Sequence, residues 1–114
     1  MIFFLGFRND VYNLLNVIDI FIFPSFHEGL GISIIEAQTN GIITYCSNSI
    51  PQEARISPFI RLFDLKDKDE NIVTRICNEK INTQKRDNAY KYTIQKGYDI
   101  KQVCKELELI YSKL

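Results

Sequence analysis

The 114-residue chain has no excess of either charge: 14 Lys and Arg stand against 14 Asp and Glu. The basic footprint that nucleic-acid-binding domains carry is missing, so nucleic acid is not an expected partner. Glycine and proline are scarce, at 5 and 3 residues, and neither disorder nor a low-complexity linker fits that composition. Long hydrophobic runs are absent too. The opening MIFFLGFRND has no basic n-region and its apolar run stops at Gly6, which excludes a signal peptide and a membrane span as readings of it. The 3 cysteines, Cys46, Cys77 and Cys104, are odd in number and far apart. They form neither a disulfide framework nor a zinc pattern, and read as reduced core residues of a cytoplasmic protein.

What is present is a globular composition, 46% hydrophobic and 25% charged. A chain of this length is one domain at most and is expected to bury roughly two thirds of the surface its unfolded form exposes. IFFL (2 to 5) predicts a strand. Val11, Leu14, Leu15 and Ile18 have helical spacing behind the capping candidates Asn9 and Asp10. IDIFIF (18 to 23) is apolar on both alternating faces apart from Asp19, as a parallel, central strand would be. A helix from about Leu30 to Thr39 closes at Asn40-Gly41, a left-handed cap. IITYC (42 to 46) predicts another strand, Pro51 opens a short helix, and FIRLF (59 to 63) predicts a further strand. Helices follow over about 67 to 114, the first carrying Ile72, Val73, Ile76, Cys77 and Ile81. The last carries a stripe from Ile100 through Val103, Cys104, Leu107, Ile110 and Tyr111 to Leu114. Strands alternating with helices predict an α/β fold with a doubly wound parallel sheet.

Ligands of such sheets bind outside the carboxyl ends of the strands, which is where residues 24 to 31 of PSFHEGLGISIIEAQTNG lie. Gly29 and Gly31 let the backbone approach a ligand, and the helix that follows offers N–H groups and a partial positive charge to a phosphate. Neither GxxxxGK[ST] nor the complete dinucleotide fingerprint is present. The turn instead holds Glu28, with Glu36 roughly 7 Å further along the helix. Carboxylates repel phosphate, so beside a bound nucleotide they must reach neutral donors. A carboxylate accepts both protons of a vicinal diol, and two acids flanking one diphosphate suit a sugar on one side and a ribose on the other.

Pro24, Ser25, Glu28, Gly29, Gly31, Glu36, Ala37 and Gly41 occupy a PS..EG.G....EA...G frame. With FLGFRNDVYNLLNVIDIFIF before it, and SNSIPQEA and GYDIKQVCKELELIYSKL after it, the chain resembles the C-terminal donor-binding half of GT-B glycosyltransferases. The likeness is to the retaining glycosyltransferase family 4 group, of the exopolysaccharide and capsular polysaccharide type. The resemblance implies a partial, Rossmann-like C-terminal domain over residues 1 to 114. It places Glu28 on the transferred sugar as the catalytic contact, Glu36 on the ribose, and the diphosphate on the backbone of Gly29, Leu30 and Gly31. It implies a nucleotide-diphosphate sugar, UDP-linked, as donor substrate, with no cofactor and no metal. It also implies a cytoplasmic location, with peripheral contact of the full enzyme at the inner face of the cell membrane. A GT-B enzyme has an N-terminal acceptor domain as well, so this chain is expected to be a fragment that needs that domain or a partner chain. A catalytically inert nucleotide-binding module, and a truncated remnant acting only in assembly, stay open as alternatives.

Other residues read more plainly. Arg8 and Arg55 do not match the position of the family's diphosphate clamp. His27 reads as a rim residue. Asp67-Lys68-Asp69 has the spacing of a D-x-D metal motif but stands where helix capping and first-turn acids belong. Lys80, Lys85, Arg86, Lys91, Lys96 and Lys101 are interspersed with acids and read as a solvated face. The tyrosines at 45, 90 and 92 and the eight phenylalanines are expected in the core.

Overall fold

A computed structural model describes residues 1–114. Its centre is a sheet of three parallel strands in the order β1 (Ile20–Phe23), β2 (Ile43–Ser47), β3 (Ile60–Phe63). The register pairs Ile20 with Ile43 and Thr44 with Ile60. Every residue of β2 is buried, because helices cover both of its faces. On one face α2 (Ile32–Thr39) packs Ile34 and Ile35 against Cys46, Ile50, Ala54 and Ile56. On the other, Ile43, Tyr45 and Phe63 meet Ile72 and Ile76 of α3 (Asp69–Cys77). The helix α1 (Val11–Val17) adds Leu15 against Ala37 and Ile42. A single-turn 3-10 helix follows Pro51 at Gln52–Ala54 and another lies at Thr83–Arg86. Two further helices, α4 (Tyr90–Gln95) and α5 (Ile100–Tyr111), end the chain. The alternation of strand and helix thus yields the doubly wound parallel arrangement expected from the pattern.

Several expectations need correction. IFFL is not a strand: residues 1–10 have no ladder partner, and Ile2, Phe3, Phe4 and Leu5 are exposed. β1 is consequently an edge of the sheet and β2 its centre; an apolar run shows fitness for burial, not which neighbour a strand will have. Cys46 is buried, but Cys77 and Cys104 are exposed although all three are free thiols. Phe3, Phe4, Phe7, Phe26 and Tyr90 are exposed as well, so the aromatic residues divide between core and surface. Ile81 falls beyond the end of α3. The stripe on α5 forms a helix as read, yet none of its residues is buried.

The surface area follows from these uncovered pieces. The chain exposes 8649 Å², against about 6,500 Å² for a compact monomer of its mass and about 19,000 Å² for the unfolded chain. It therefore buries about 55% of its surface, short of two thirds. The radius of gyration is 16.2 Å, where a compact chain of this length would have about 13 Å.

Three polar devices hold the elements in place. The Gln38 side chain is fully buried: its Nε2 donates to Ile34 O and, at 2.7 Å, to Ala54 O, while its Oε1 accepts from Ile56 N, Ser57 N and Ser57 Oγ. Arg86 is not part of a solvated face. Its guanidinium donates to Leu15 O, Ile18 O and Asn40 O, the carbonyls left over where α1 and α2 end. Its backbone lies so close to Gly41 that a Cβ there would stand 2.7 Å from Arg86 Cα, and Gly41 has φ +68°. On the α3 side, Tyr45 OH donates to Glu79 Oε2 at 2.6 Å, and Arg61 donates to both oxygens of the same carboxylate.

Removing the Gln38 amide orphans buried N–H and C=O groups at about 1–3 kcal/mol each. Gln38→Leu is expected to lower unfolding free energy in denaturant titrations by at least about 3 kcal/mol, while Ser33→Ala on the exposed side of the same helix stays within about 0.5 kcal/mol. The Tyr45–Glu79 pair makes stability depend on pH at both extremes. Burial, reinforced by the hydrogen bond to Glu79, pushes the Tyr45 phenol from 10.0 up to about 12. That bond, with help from Arg61, holds the Glu79 carboxyl below its ordinary 4.5. The Glu79 contribution is present above 4.5 and lost as pH falls through its depressed folded value. The Tyr45 contribution is complete below 10.0 and lost as pH rises toward about 12. Melting temperatures of wild type and Tyr45→Phe should differ by a constant amount between those limits and converge at both ends.

Candidate donor-binding turn

The turn at 24 to 31 leaves the carboxyl end of β1 and enters α2. Ser25 N donates to Phe23 O at 3.1 Å, which turns the chain immediately after Pro24. The carbonyl of Ser25 accepts from Ser49 Oγ at 2.9 Å and from Ser47 Oγ. Those two hydroxyls contact each other at 2.8 Å. The turn is thereby tied to the carboxyl end of the neighbouring strand β2. Ser25 Oγ then donates to Glu28 Oε1 at 2.9 Å and lies 3.1 Å from His27 O. A hydroxyl held this way fixes where the Glu28 carboxylate stands, while Glu28 itself stays exposed.

The backbone of this turn is unusually free. None of the N–H groups from Phe26 to Ser33 donates a hydrogen bond within the chain; the first donors of α2 are Ile34 and Ile35, both to Gly31 O. Gly31 caps the helix with φ +75°, a conformation that suits glycine. The free donors include those of the first turn of α2, at the positive end of its helix dipole, where anions are favoured. Gly29 has open space around it, whereas a Cβ on Gly31 would stand 3.1 Å from Ile34 Cδ1. A substitution at Gly31 therefore disturbs the fold itself, and Gly29 is the position that can report on a ligand alone. Leu30 is half-exposed at the crest of the turn.

Glu36 lies on the outward side of α2. Ile34, Ile35, Ala37 and Gln38 are buried while Ile32, Ser33 and Glu36 are exposed, so the spacing of three and four residues lines Ser33 and Glu36 up below the turn. The Glu36 carboxylate has no hydrogen-bond partner in the chain; only its carbonyl is used, by Asn40. Both acids are therefore presented to solvent, Glu28 fixed at the turn and Glu36 a little over a helical turn below it.

The remaining candidates contribute no side-chain bond to the turn. His27 is an exposed rim residue. Arg8 pairs with Asp10 at 2.6 Å, and Arg55 donates to Asn48 O and Ile50 O, bracing the loop after β2. Asp69 and Glu70 occupy the first turn of α3, whose N-cap residue is Lys68 and has no side-chain cap bond. Ser47 and Ser49 are the residues of the turn that sequence reasoning missed. Serines after a strand signal only a loop, and no spacing announces a partner 22 or 24 residues away.

Comparison with known proteins addresses the same residues. The sequence pattern of the glycosyl transferases group 1 family matches residues 1–96. An Escherichia coli UDP-Gal:alpha-D-GlcNAc-diphosphoundecaprenol alpha-1,3-galactosyltransferase is 33% identical over 81 residues, which is 68% of this chain and 21% of that protein. A Campylobacter jejuni N,N'-diacetylbacillosaminyl-diphospho-undecaprenol alpha-1,3-N-acetylgalactosaminyltransferase is 27% identical over 97% of this chain and 30% of its own length. The chain thus spans between a fifth and a third of these curated relatives. No solved structure matches it at a significant level. With the family pattern covering most of its length and the glycine turn inside the match, the chain belongs to the group 1 glycosyltransferases.

Proposed function

We propose that this chain is the donor-binding part of a retaining glycosyltransferase. That enzyme moves a sugar from a nucleotide-diphosphate sugar, UDP-linked, to a glycan or lipid-linked acceptor in surface polysaccharide biosynthesis. The observation that carries the reading is the row of unpartnered N–H groups from Phe26 to Ser33 flanked by two carboxylates free to accept hydrogen bonds. In this reading the diphosphate lies on the N–H groups of Gly29, Leu30 and Gly31, at the positive end of α2. Glu36 accepts the ribose hydroxyls. Glu28, positioned by Ser25, contacts the transferred sugar. Stabilising the departing diphosphate with fixed donors is electrostatic catalysis that needs no proton transfer. The printed acceptors of the relatives, diphospho-undecaprenol-linked sugars, support a lipid-linked acceptor and peripheral work at a membrane surface.

The turn is open to solvent, while small-molecule sites are usually concave and enclose most of their ligand. Arg8 and Arg55 are both engaged in bonds within the chain. Much apolar surface also lies uncovered, at Ile2 to Leu5, on the β1 edge at Ile22 and along α5. These features support a requirement for more polypeptide, an acceptor domain or partner chain, to close the cleft and complete the enzyme. Alone, the chain is expected to bind donor weakly and turn nothing over.

Titrating the 114-residue chain with UDP, followed by amide chemical shifts, should move the signals of residues 26 to 33 with a dissociation constant of about 1 mM or weaker, roughly −4 kcal/mol. Gly29→Ala should leave the melting temperature unchanged and weaken that binding. Saturation without shifts at the turn would reject the site. In the assembled transferase, Glu28→Gln should lower kcat about 100-fold, whereas Glu36→Gln should raise KM for the donor and spare kcat. Equal and small effects of both would make them ordinary surface acids. Transfer should persist in EDTA, since the donors of the turn carry the leaving-group charge; its loss, with recovery in Mn²⁺ or Mg²⁺, would overturn that assignment.

A further inference from the structure

One well-defined concavity of the molecule lies away from the donor turn. It is a cleft of about 470 Å³ at the opposite, amino ends of the strands, bounded by Asp19, Ile43 and Phe59 on the sheet side and by residues 80 to 92 on the other. Its volume lies in the range of small-molecule sites, about 300–1,000 Å³. A sheet of this strand length separates it from the turn by about 13 Å, at about 3.3 Å per residue.

The cleft is positive although the chain as a whole is neutral. Lys80, Lys85, Lys91, Arg61 and Arg86 line it, against Asp19 and Asp87. Arg61 is neutralised by Glu79, and Arg86 is occupied by backbone carbonyls. The three lysines enter no ion pair, and each can turn an ammonium into the cleft. Low-dielectric walls concentrate the field of such a group. Phe59 and Tyr92 meet edge to face at 6.2 Å to form the apolar wall, and the Lys91 ammonium stands 5.1 Å from the Tyr92 ring centroid. Asn88, also on the lining, has φ +124°. That region is strained for a non-glycine residue, and such residues gather at ligand clamps and switches.

We propose that this basic cleft binds a phosphate group, carried by a soluble phosphorylated compound or by a phospholipid headgroup, with Lys80, Lys85 and Lys91 as its ligands. The phosphate accepts charge-assisted hydrogen bonds from the ammonium groups, and the organic part to which it is attached lies on the Phe59–Tyr92 wall. This site is independent of the donor turn and stands whether or not the turn binds a nucleotide.

The test uses the 114-residue chain with two probes: inorganic pyrophosphate, followed by amide shifts, and phosphatidylcholine vesicles with or without phosphatidylglycerol, followed by co-sedimentation. Three proteins are compared: wild type, Lys80→Gln/Lys85→Gln/Lys91→Gln, and a charge-matched control, Lys66→Gln/Lys101→Gln/Lys113→Gln. Wild type should bind at least one probe saturably, with pyrophosphate shifts at residues 80 to 92. The cleft variant should lose about tenfold or more in affinity, as loss of one charge-assisted contact implies, while the control keeps wild-type affinity. Binding of pyrophosphate without vesicles supports a soluble ligand, and selective retention on phosphatidylglycerol vesicles supports a headgroup. Equal losses in the two variants, binding of neither probe, or pyrophosphate shifts confined to residues 26 to 33 and abolished by Gly29→Ala would each overturn the proposal. Circular dichroism melts of all three proteins separate loss of binding from loss of fold.

Discussion

The buried amide of Gln38 is the contact on which the rest of the site depends. It satisfies acceptors and donors from α2 and from the segment after the Gln52–Ala54 turn at once, with each of its polar atoms engaged. A primary amide can do this because it offers two donors and an acceptor with two lone pairs. In a low-dielectric interior a fully satisfied network of this kind specifies one arrangement, since any slippage leaves several groups unpaired. The position of α2 relative to β2 is set by it, and so are the direction in which the free N–H groups of the helix point and the height at which Glu36 stands. Arg86 performs a related task at the other end of α2, joining it to the end of α1 through three carbonyls.

From that anchored helix the chemistry of the turn follows. Ser47 and Ser49 hold the Ser25 carbonyl, and the Ser25 hydroxyl reaches Glu28. A carboxylate beside a cluster of unpaired N–H donors is an unusual combination, because the donors attract anions and the acid repels them. The conflict is resolved if the two kinds of group address different parts of one ligand, donors the diphosphate and acids the hydroxylated rings on either side.

The molecule is uneven in its stability. β2 is buried throughout and covered on both faces, while residues 1 to 10, the outer edge of β1 and all of α5 carry apolar side chains in the open. Unpaired strand edges and uncovered apolar patches favour association. The same surfaces account for a radius of gyration of 16.2 Å and for the smaller fraction of area buried. The chain spans between a fifth and a third of its curated relatives.

Much of the site was legible in the sequence. Local chemistry dictated the order of strands and helices, the glycine cap at Gly41 and the placement of Glu28 and Glu36 around a strand-to-helix turn, because periodicity, backbone freedom and helix rise are properties of neighbouring residues. Tertiary structure decided the rest. IFFL has the composition of a strand and found no ladder partner, since pairing needs a neighbour that composition does not name. Cys77, Cys104 and the α5 stripe have the pattern of core residues without a surface to cover them. Arg86 looks like one cation among several in its stretch and becomes a clamp only where two helix ends meet. Gln38, Ser47 and Ser49 are ordinary polar residues in sequence, and their partners lie 16 to 24 positions away. Hydrogen bonds across such separations exist only once the chain has folded, and no local pattern encodes them.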